Sequence, residues 1–182
     1  MTTVVPLQSA HHDALLDFFR QLPEGDLTFI KENVVDPDVI RAWTAGDDHQ
    51  QRWVALGDDG DVRGYVAVRR LPGWSDHVGE VRLVVAQAAR GTGLGRDLAR
   101  HALVYAVEAG MTKLLVEVVA EQGAALALFT ALGFTGEALL RDQIRGRDGQ
   151  LRDLMVLAHH VGDVWTAMDS VGLPDALEGR PR

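Results

Sequence analysis

The sequence predicts a single α+β domain, mixed α/β in character, built around one central sheet. Three observations carry that expectation. The chain has 182 residues, enough for one full hydrophobic core and short of what a second domain requires. Strand-type and helix-type runs follow in the order strand, two helices, three antiparallel strands, helix, strand, helix, two strands. No repeat, linker or low-complexity block interrupts them. The domain is expected over residues 1–160, with a terminal helix and tail over 161–182.

Thr2 to Leu7 is a β-branched run broken by Pro6, which suits an edge strand. Ser9 is placed as the cap of a first helix, whose apolar face is Leu15, Leu16, Phe18, Phe19 and Leu22 and which Pro23 stops. Asp36-Pro37 opens a second helix carrying Val39, Ile40 and Trp43, closed by Gly46. Arg52–Leu56 and Val62–Arg70 alternate around a Gly/Asp turn and read as a hairpin. The turn holding Trp74 leads to a strand from Glu80 to Val85, and a helix follows from about Leu94 to Ala109, with Gly110 beyond it. Lys113–Ala120 is strongly β in type, and Gly123–Leu132 is a small-residue helix closed by Gly133. Phe134–Ile144 and Leu151–His159 form a last hairpin. Val161 to Val171 reads as a terminal helix with Val164, Trp165 and Met168 on one side, set against the domain or a second subunit.

The composition excludes several classes of function. The absence of cysteine removes disulfides, thiolate zinc sites and a cysteine acyl-enzyme. A net charge of −8 repels nucleic acid and anionic membranes and favours cationic partners. No apolar run reaches the length of a membrane span, and the start of the chain lacks signal-peptide character, so a cytoplasmic protein is expected. His11-His12 and His159-His160 are sequence neighbours that do not converge on one ion, and no HExxH occurs, so no metal is expected.

The chemistry concentrates between Glu80 and Ala109. A strand, Glu80-Val81-Arg82-Leu83-Val84-Val85, feeds Arg90-Gly91-Thr92-Gly93-Leu94-Gly95-Arg96, which opens directly into a helix. Glycines allow close approach of the backbone N–H groups to an anion, and the helix N-terminus adds roughly half a positive charge. This is a phosphate cradle flanked by two arginines. A P-loop would need four residues between its glycines and then Lys-Ser/Thr. A dinucleotide fingerprint would need glycine where Arg96 stands, after a βαβ unit rather than a meander.

Val85-x-x-x-x-Arg90-Gly91-x-Gly93-x-Gly95 resembles the acyl-CoA motif of the GNAT N-acetyltransferase superfamily. The segment Leu115-Val116-Glu117-Val118, Gln122, Ala125 and Leu128-Phe129-Thr130-Ala131-Leu132-Gly133-Phe134 resembles the strand-helix unit of that family ending in "LGF". The strings FFRQLP, DPDVI and RDGQLRDLMVLAHH are similar to bacterial members related to the acetyltransferase domain of protein lysine acetyltransferases. The resemblance implies a mostly antiparallel sheet with helices on both faces, splayed between the Glu80 and Lys113 strands. It implies acetyl-CoA as cosubstrate and an amine acceptor, a small molecule or a protein lysine, with a homodimer as one assembly. The pantetheine would pair with backbone near Val84 and Val85, the pyrophosphate would lie on Gly91 to Arg96, and Gln122, Ala125 and Phe129 would complete the site.

Acyl transfer to an amine requires a base, since a lysine-type ammonium titrates near about 10.4. Glu80 is the leading candidate; the alternative is a strand glutamate paired to Arg82 or a cross-strand arginine. The family's tyrosine general acid is replaced by Phe129, which has no proton to give. A thiol of pKa about 8.5 is a tolerable leaving group without it. That substitution is the main support for the rival reading, a non-catalytic acyl-CoA sensor. Trp74 is weighed as an acceptor-mouth residue against a hairpin cap. Arg141, Arg145, Arg147 and Arg152 are weighed as an acceptor-carboxylate site against a solvated hairpin face.

Overall fold

The computed structural model describes residues 2–27 and 30–161. Among the described residues seven strands form one sheet in the order β1-β2-β3-β4-β5-β7-β6. They are β1 (Thr3–Pro6), β2 (Gln50–Leu56), β3 (Val62–Arg70), β4 (Val78–Val85), β5 (Lys113–Val119), β6 (Thr135–Arg145) and β7 (Leu151–His160). Only the β4–β5 pair is parallel; the other neighbours are antiparallel. Pro6 sits on edge strand β1, where its missing N–H costs no interior ladder bond.

The strand period of two sorts side chains onto two cores. On one face Val66, Val68, Val81, Leu114, Val116 and Val118 pack beneath α4 (Leu94–Glu108) and α5 (Gly123–Ala131), through Leu98, Ala102, Ala106 and Phe129. On the other, Val54, Tyr65 and Ala67 meet α1 (His12–Arg20) and α3 (Pro37–Thr44), through Leu15, Phe19 and Ile40. This is an α+β fold with helices on both faces of a mostly antiparallel sheet.

Local chemistry explains most boundaries. Asp36 caps α3 by accepting from the Asp38 N–H at 2.9 Å, with Pro37 at the first helical position. Gly133 holds φ at +84°, and a side chain there would press on the His159 ring at 3.1 Å. That ring packs on Phe134, with His159 Nδ1 3.0 Å from the Gly133 carbonyl.

One local expectation is corrected and one element is added. Ser9 does not cap α1: a 3-10 turn, Ser9–His11, precedes the helix, and the Gln8 N–H donates to His11 Nδ1 at 3.1 Å. Gln8 rather than Ser9 stands at the cap of that turn, and the His11 ring takes the Gln8 N–H. Helix α1 ends at Arg20, short of Pro23, as expected, and Pro23 leads into a further turn. Its carbonyl accepts from Asp26 and Leu27 at 2.9 and 3.2 Å and starts a single turn, α2 (Glu24–Leu27). The expected terminal helix falls almost wholly outside the described residues; Val161 is described, and its N–H donates to the Thr112 carbonyl at 2.9 Å.

Candidate active site

The parallel β4–β5 pairing runs from Val78↔Lys113 to Val81↔Val116 and stops. Beyond it, β4 keeps its register with β3 as far as Val85↔Gly64, while β5 continues with β7 to Val119↔Leu154. The sheet therefore opens between Arg82–Val85 and Glu117–Val119. A backbone edge of β4 faces the opening, available to an extended ligand. The cleft there has a volume of about 1100 Å³, at the upper limit of the usual 300–1,000 Å³ or so for a ligand site.

One bank of the cleft is backbone. β4 passes through a short 3-10 turn, Gln87–Ala89, into the glycine turn and α4. Gly91 and Gly93 have φ of +76° and +93°, conformations that β-branched residues avoid. The N–H groups of Arg96 and Asp97 turn back onto the Gly93 carbonyl at 3.0 and 3.1 Å. The earlier N–H groups of a helix have no intrahelical acceptor, which makes this end an anion site. Gly91, Gly93 and Gly95 line the cleft, as do Arg90 and Arg96. Arg90 donates from Nε to the Val85 carbonyl at 3.2 Å and pairs through its guanidinium with Asp26 of α2.

Some expected positions reach the cleft and others do not. Val84, Val85, Gln122, Ala125 and Phe129 line it. Thr92 turns its hydroxyl to the Ala89 carbonyl at 2.7 Å, and Leu94 is buried in the core, so these two offer only backbone. Phe129 is buried edge-to-face against Phe134, with ring centroids 5.2 Å apart. Gln122 opens α5, its carbonyl accepting from Ala125 and Leu126.

The other bank is a network of charged side chains on the α1–α3 face. Alternation along β4 puts Glu80, Arg82 and Val84 on this face and Val81, Leu83 and Val85 on the opposite one. Glu80 is buried at 7% exposure. Arg69, directly across β3, hydrogen-bonds its carboxylate, Arg82 Nε reaches it at 3.2 Å and Lys31 Nζ at 3.7 Å. Burial alone would raise the Glu80 carboxyl. The Arg69 hydrogen bond and the charges of Arg82 and Lys31 outweigh burial and hold it below its ordinary value of 4.5. Arg82 also pairs with Glu32. Lys31 Nζ lies 2.5 Å from Oε2 of Glu117 on the splayed part of β5. Tyr65 also lines the cleft; burial pushes its phenol up, against smaller opposing effects of Arg52 and Arg82.

Lys31, Glu32, Arg69 and Glu117 were not singled out from sequence. Glu117 carried a readable signal, as the one acid within the apolar run KLLVEVVA. Trp74 is 93% exposed in the β3–β4 turn and lies outside the cleft lining among the described residues. Of the hairpin arginines, Arg145 lines the cleft; Arg152 pairs with Asp148 at 2.5 Å, and Arg147 approaches Glu24 at 3.9 Å. Among the described residues no cluster of His, Asp or Glu suits a metal ion, and no helix is long and apolar enough to cross a membrane.

The splayed β4–β5 pair thus presents an open strand edge that runs into a glycine turn at a helix N-terminus, an arrangement suited to an extended ligand with an anionic end. Comparison with known proteins assigns the family. The profile of the Acetyltransferase (GNAT) family matches residues 12–134, and the chain belongs to that family. Streptothricin acetyltransferase of Streptomyces lavendulae is 31% identical over 122 residues, covering 60% of this chain and 64% of that one. The chain thus spans just under two thirds of this relative. Among solved structures, a ribosomal-protein-alanine N-acetyltransferase from Brucella melitensis superposes with a TM-score of 0.77 at 25% identity, over 87% of this chain and 99% of that one. A Salmonella typhimurium protein described as an acetyltransferase with its cofactor acetyl-CoA gives a TM-score of 0.74 at 20% identity, over 88% and 94% of the two chains.

Proposed function

We propose that this chain is an N-acetyltransferase that moves an acetyl group from acetyl-CoA to a primary amine by direct attack on the thioester. The observation that carries the reading is the continuity of the open β4 edge with the anion-binding turn at α4. An extended pantetheine pairs with backbone at Val84 and Val85. The pyrophosphate then falls on the N–H groups from Gly91 to Gly95, between the side chains of Arg90 and Arg96. Gln122, Ala125 and Phe129 close the β5 side around the arm.

The amine enters on the charged bank. Glu80 is the proposed base, directly or through a water. Its depressed pKa keeps it ionised at neutral pH, so it takes the proton only transiently on the way to solvent. Glu117 supplies a second carboxylate at the same mouth. A backbone N–H near Val85 meets the oxyanion of the tetrahedral intermediate. Phe129 gives no proton, so the thiolate leaves unaided and is protonated by solvent. Two carboxylates beside the opening and the net charge of −8 favour a cationic amine. A small amine and a protein lysine both present that group, and the resemblance to lysine acetyltransferase domains makes the latter part of the proposal.

A sensor that binds acyl-CoA without turnover is the second reading, favoured by Phe129 and by the three cations around Glu80. Acetyl-CoA at about 100 times its dissociation constant should stabilise the protein by about 2.7 kcal/mol by mass action. Absence of any thermal shift would remove both readings. Release of CoA thiol across a panel of amines supports the enzyme, and binding without release with every amine supports the sensor.

A further inference from the structure

We infer that Lys31 is an internal acetyl acceptor, a modification site at which the protein acetylates itself; the inference rests on the acetyl transfer proposed above. The chain carries 18 basic residues, and all but Lys31 and Lys113 are arginines. Guanidinium groups stay protonated and are poor nucleophiles, so lysine in this position is chemically distinct rather than one cation among many. Lys113 begins β5 at the closed end of the splay, paired with Glu137 at 2.8 Å. Lys31 is placed quite differently. It lines the cleft, and its ammonium sits between Glu117 at 2.5 Å and Glu80 at 3.7 Å. Those carboxylates belong to the two strands whose divergence makes the cleft. An acceptor amine would have to lie in the same place, and Lys31 is already tethered there.

The step balances without a further reagent. The ammonium passes one proton to Glu117, which hands it to solvent. The free Nζ attacks the thioester carbonyl carbon, a C–N bond forms, the nitrogen loses a second proton and the C–S bond breaks. That second proton is matched by the one the departing thiolate takes up. The products are Nε-acetyl-Lys31 and CoA thiol. Acetylation leaves Glu117 without its cation and open to an external ammonium, while Glu80 keeps Arg69 and Arg82.

The test incubates the full chain with acetyl-CoA and no added amine, and follows intact mass and peptide maps. One acetyl group per chain at Lys31 is expected, at a rate independent of protein concentration. That rate should exceed the rate at Lys113 by more than about tenfold, since tethering replaces a bimolecular encounter. The K31R variant keeps the cation and should take up no such acetyl group, whereas K113R should behave as the parent. An unmodified Lys31, a rate no greater than at Lys113, or a rate rising with protein concentration would overturn the inference. Thermal shift with acetyl-CoA and CoA release with amines are read on the same sample. If both hold while Lys31 stays unmodified, only this inference falls; if both fail, the proposed function falls with it.

Discussion

The two banks of the cleft are built from different materials. On the α4 side the chain offers a contiguous turn, with positive φ at Gly91 and Gly93 and the start of a 15-residue helix behind it. On the α1–α3 side it offers Lys31, Glu32, Arg69, Glu80, Arg82 and Glu117, six side chains from four separate segments. On the proposed function, backbone donors fixed by a turn would recognise what all members of a cofactor class share, a pyrophosphate. Side chains wired to one another would recognise what differs, the acceptor, and each can change without disturbing the turn. If this division holds, damage to the first bank should abolish cofactor binding with the acceptor face intact, and damage to the second should do the reverse.

The sharpest break is Gly93→Val. A β-branched residue at φ +93° costs about 1–3 kcal/mol in local strain and moves the N–H groups from the anion. Acetyl-CoA affinity measured by calorimetry should fall about 100-fold, or about 2.7 kcal/mol. A loss under about threefold would take the pyrophosphate off this turn.

Glu80→Gln probes the opposite bank. It leaves Arg69, Arg82 and Lys31 facing a neutral amide. Because those partners are partly exposed, the stability loss at neutral pH should be about 2 kcal/mol, less than for a fully buried network. The sign of the pH dependence follows from the depressed carboxyl. Its contribution is present above the ordinary value of 4.5 and is lost as pH falls through the lower folded value. The parent should therefore lose stability on the acid side more steeply than the variant, by denaturant titration across that range. Acetyl-CoA affinity should change little. If Glu80 is the base, CoA release should drop about 100-fold or more; a variant with full turnover would leave Glu80 the structural anchor of the network.

The same contrast explains what could be read beforehand. The glycine turn and the "LGF" segment are local patterns, and their backbone needs appear as residue types at fixed spacing. The helices and strands were legible for the same reason, through periodicity and caps. The charged bank was not. Arg69 meets Glu80 through strand register, and Lys31 meets Glu117 across more than eighty residues of sequence, by tertiary placement alone. Neither contact has a signature in its own neighbourhood. Even Glu80, which lines the cleft, could not be assigned its three cationic neighbours. The turn at Glu24–Leu27 went unread for a simpler reason: a one-turn helix has too few residues to show a period.

The two banks touch at one point, and this yields the smallest effect expected. Arg90 of the glycine turn is tied to Asp26 of α2, sixty-four positions away in sequence. The side chains are 45% and 25% exposed, so the pair contributes well under about 1 kcal/mol. On the proposed placement, Asp26 puts a negative charge where the pyrophosphate would approach, and it engages a cation that the anion would use. Binding of acetyl-CoA would then require Arg90 to exchange one partner for another, while its Nε bond to the Val85 carbonyl can persist. Asp26→Asn removes the competitor without removing the arginine. Acetyl-CoA affinity should rise about threefold at low salt, with the gain shrinking as ionic strength shortens the range of the charge. Weaker binding in the variant would mean that the Asp26–Arg90 pair holds the turn in shape rather than competing for it. In that case α2 supports the cofactor bank, and the two halves of the cleft are less independent than their construction implies.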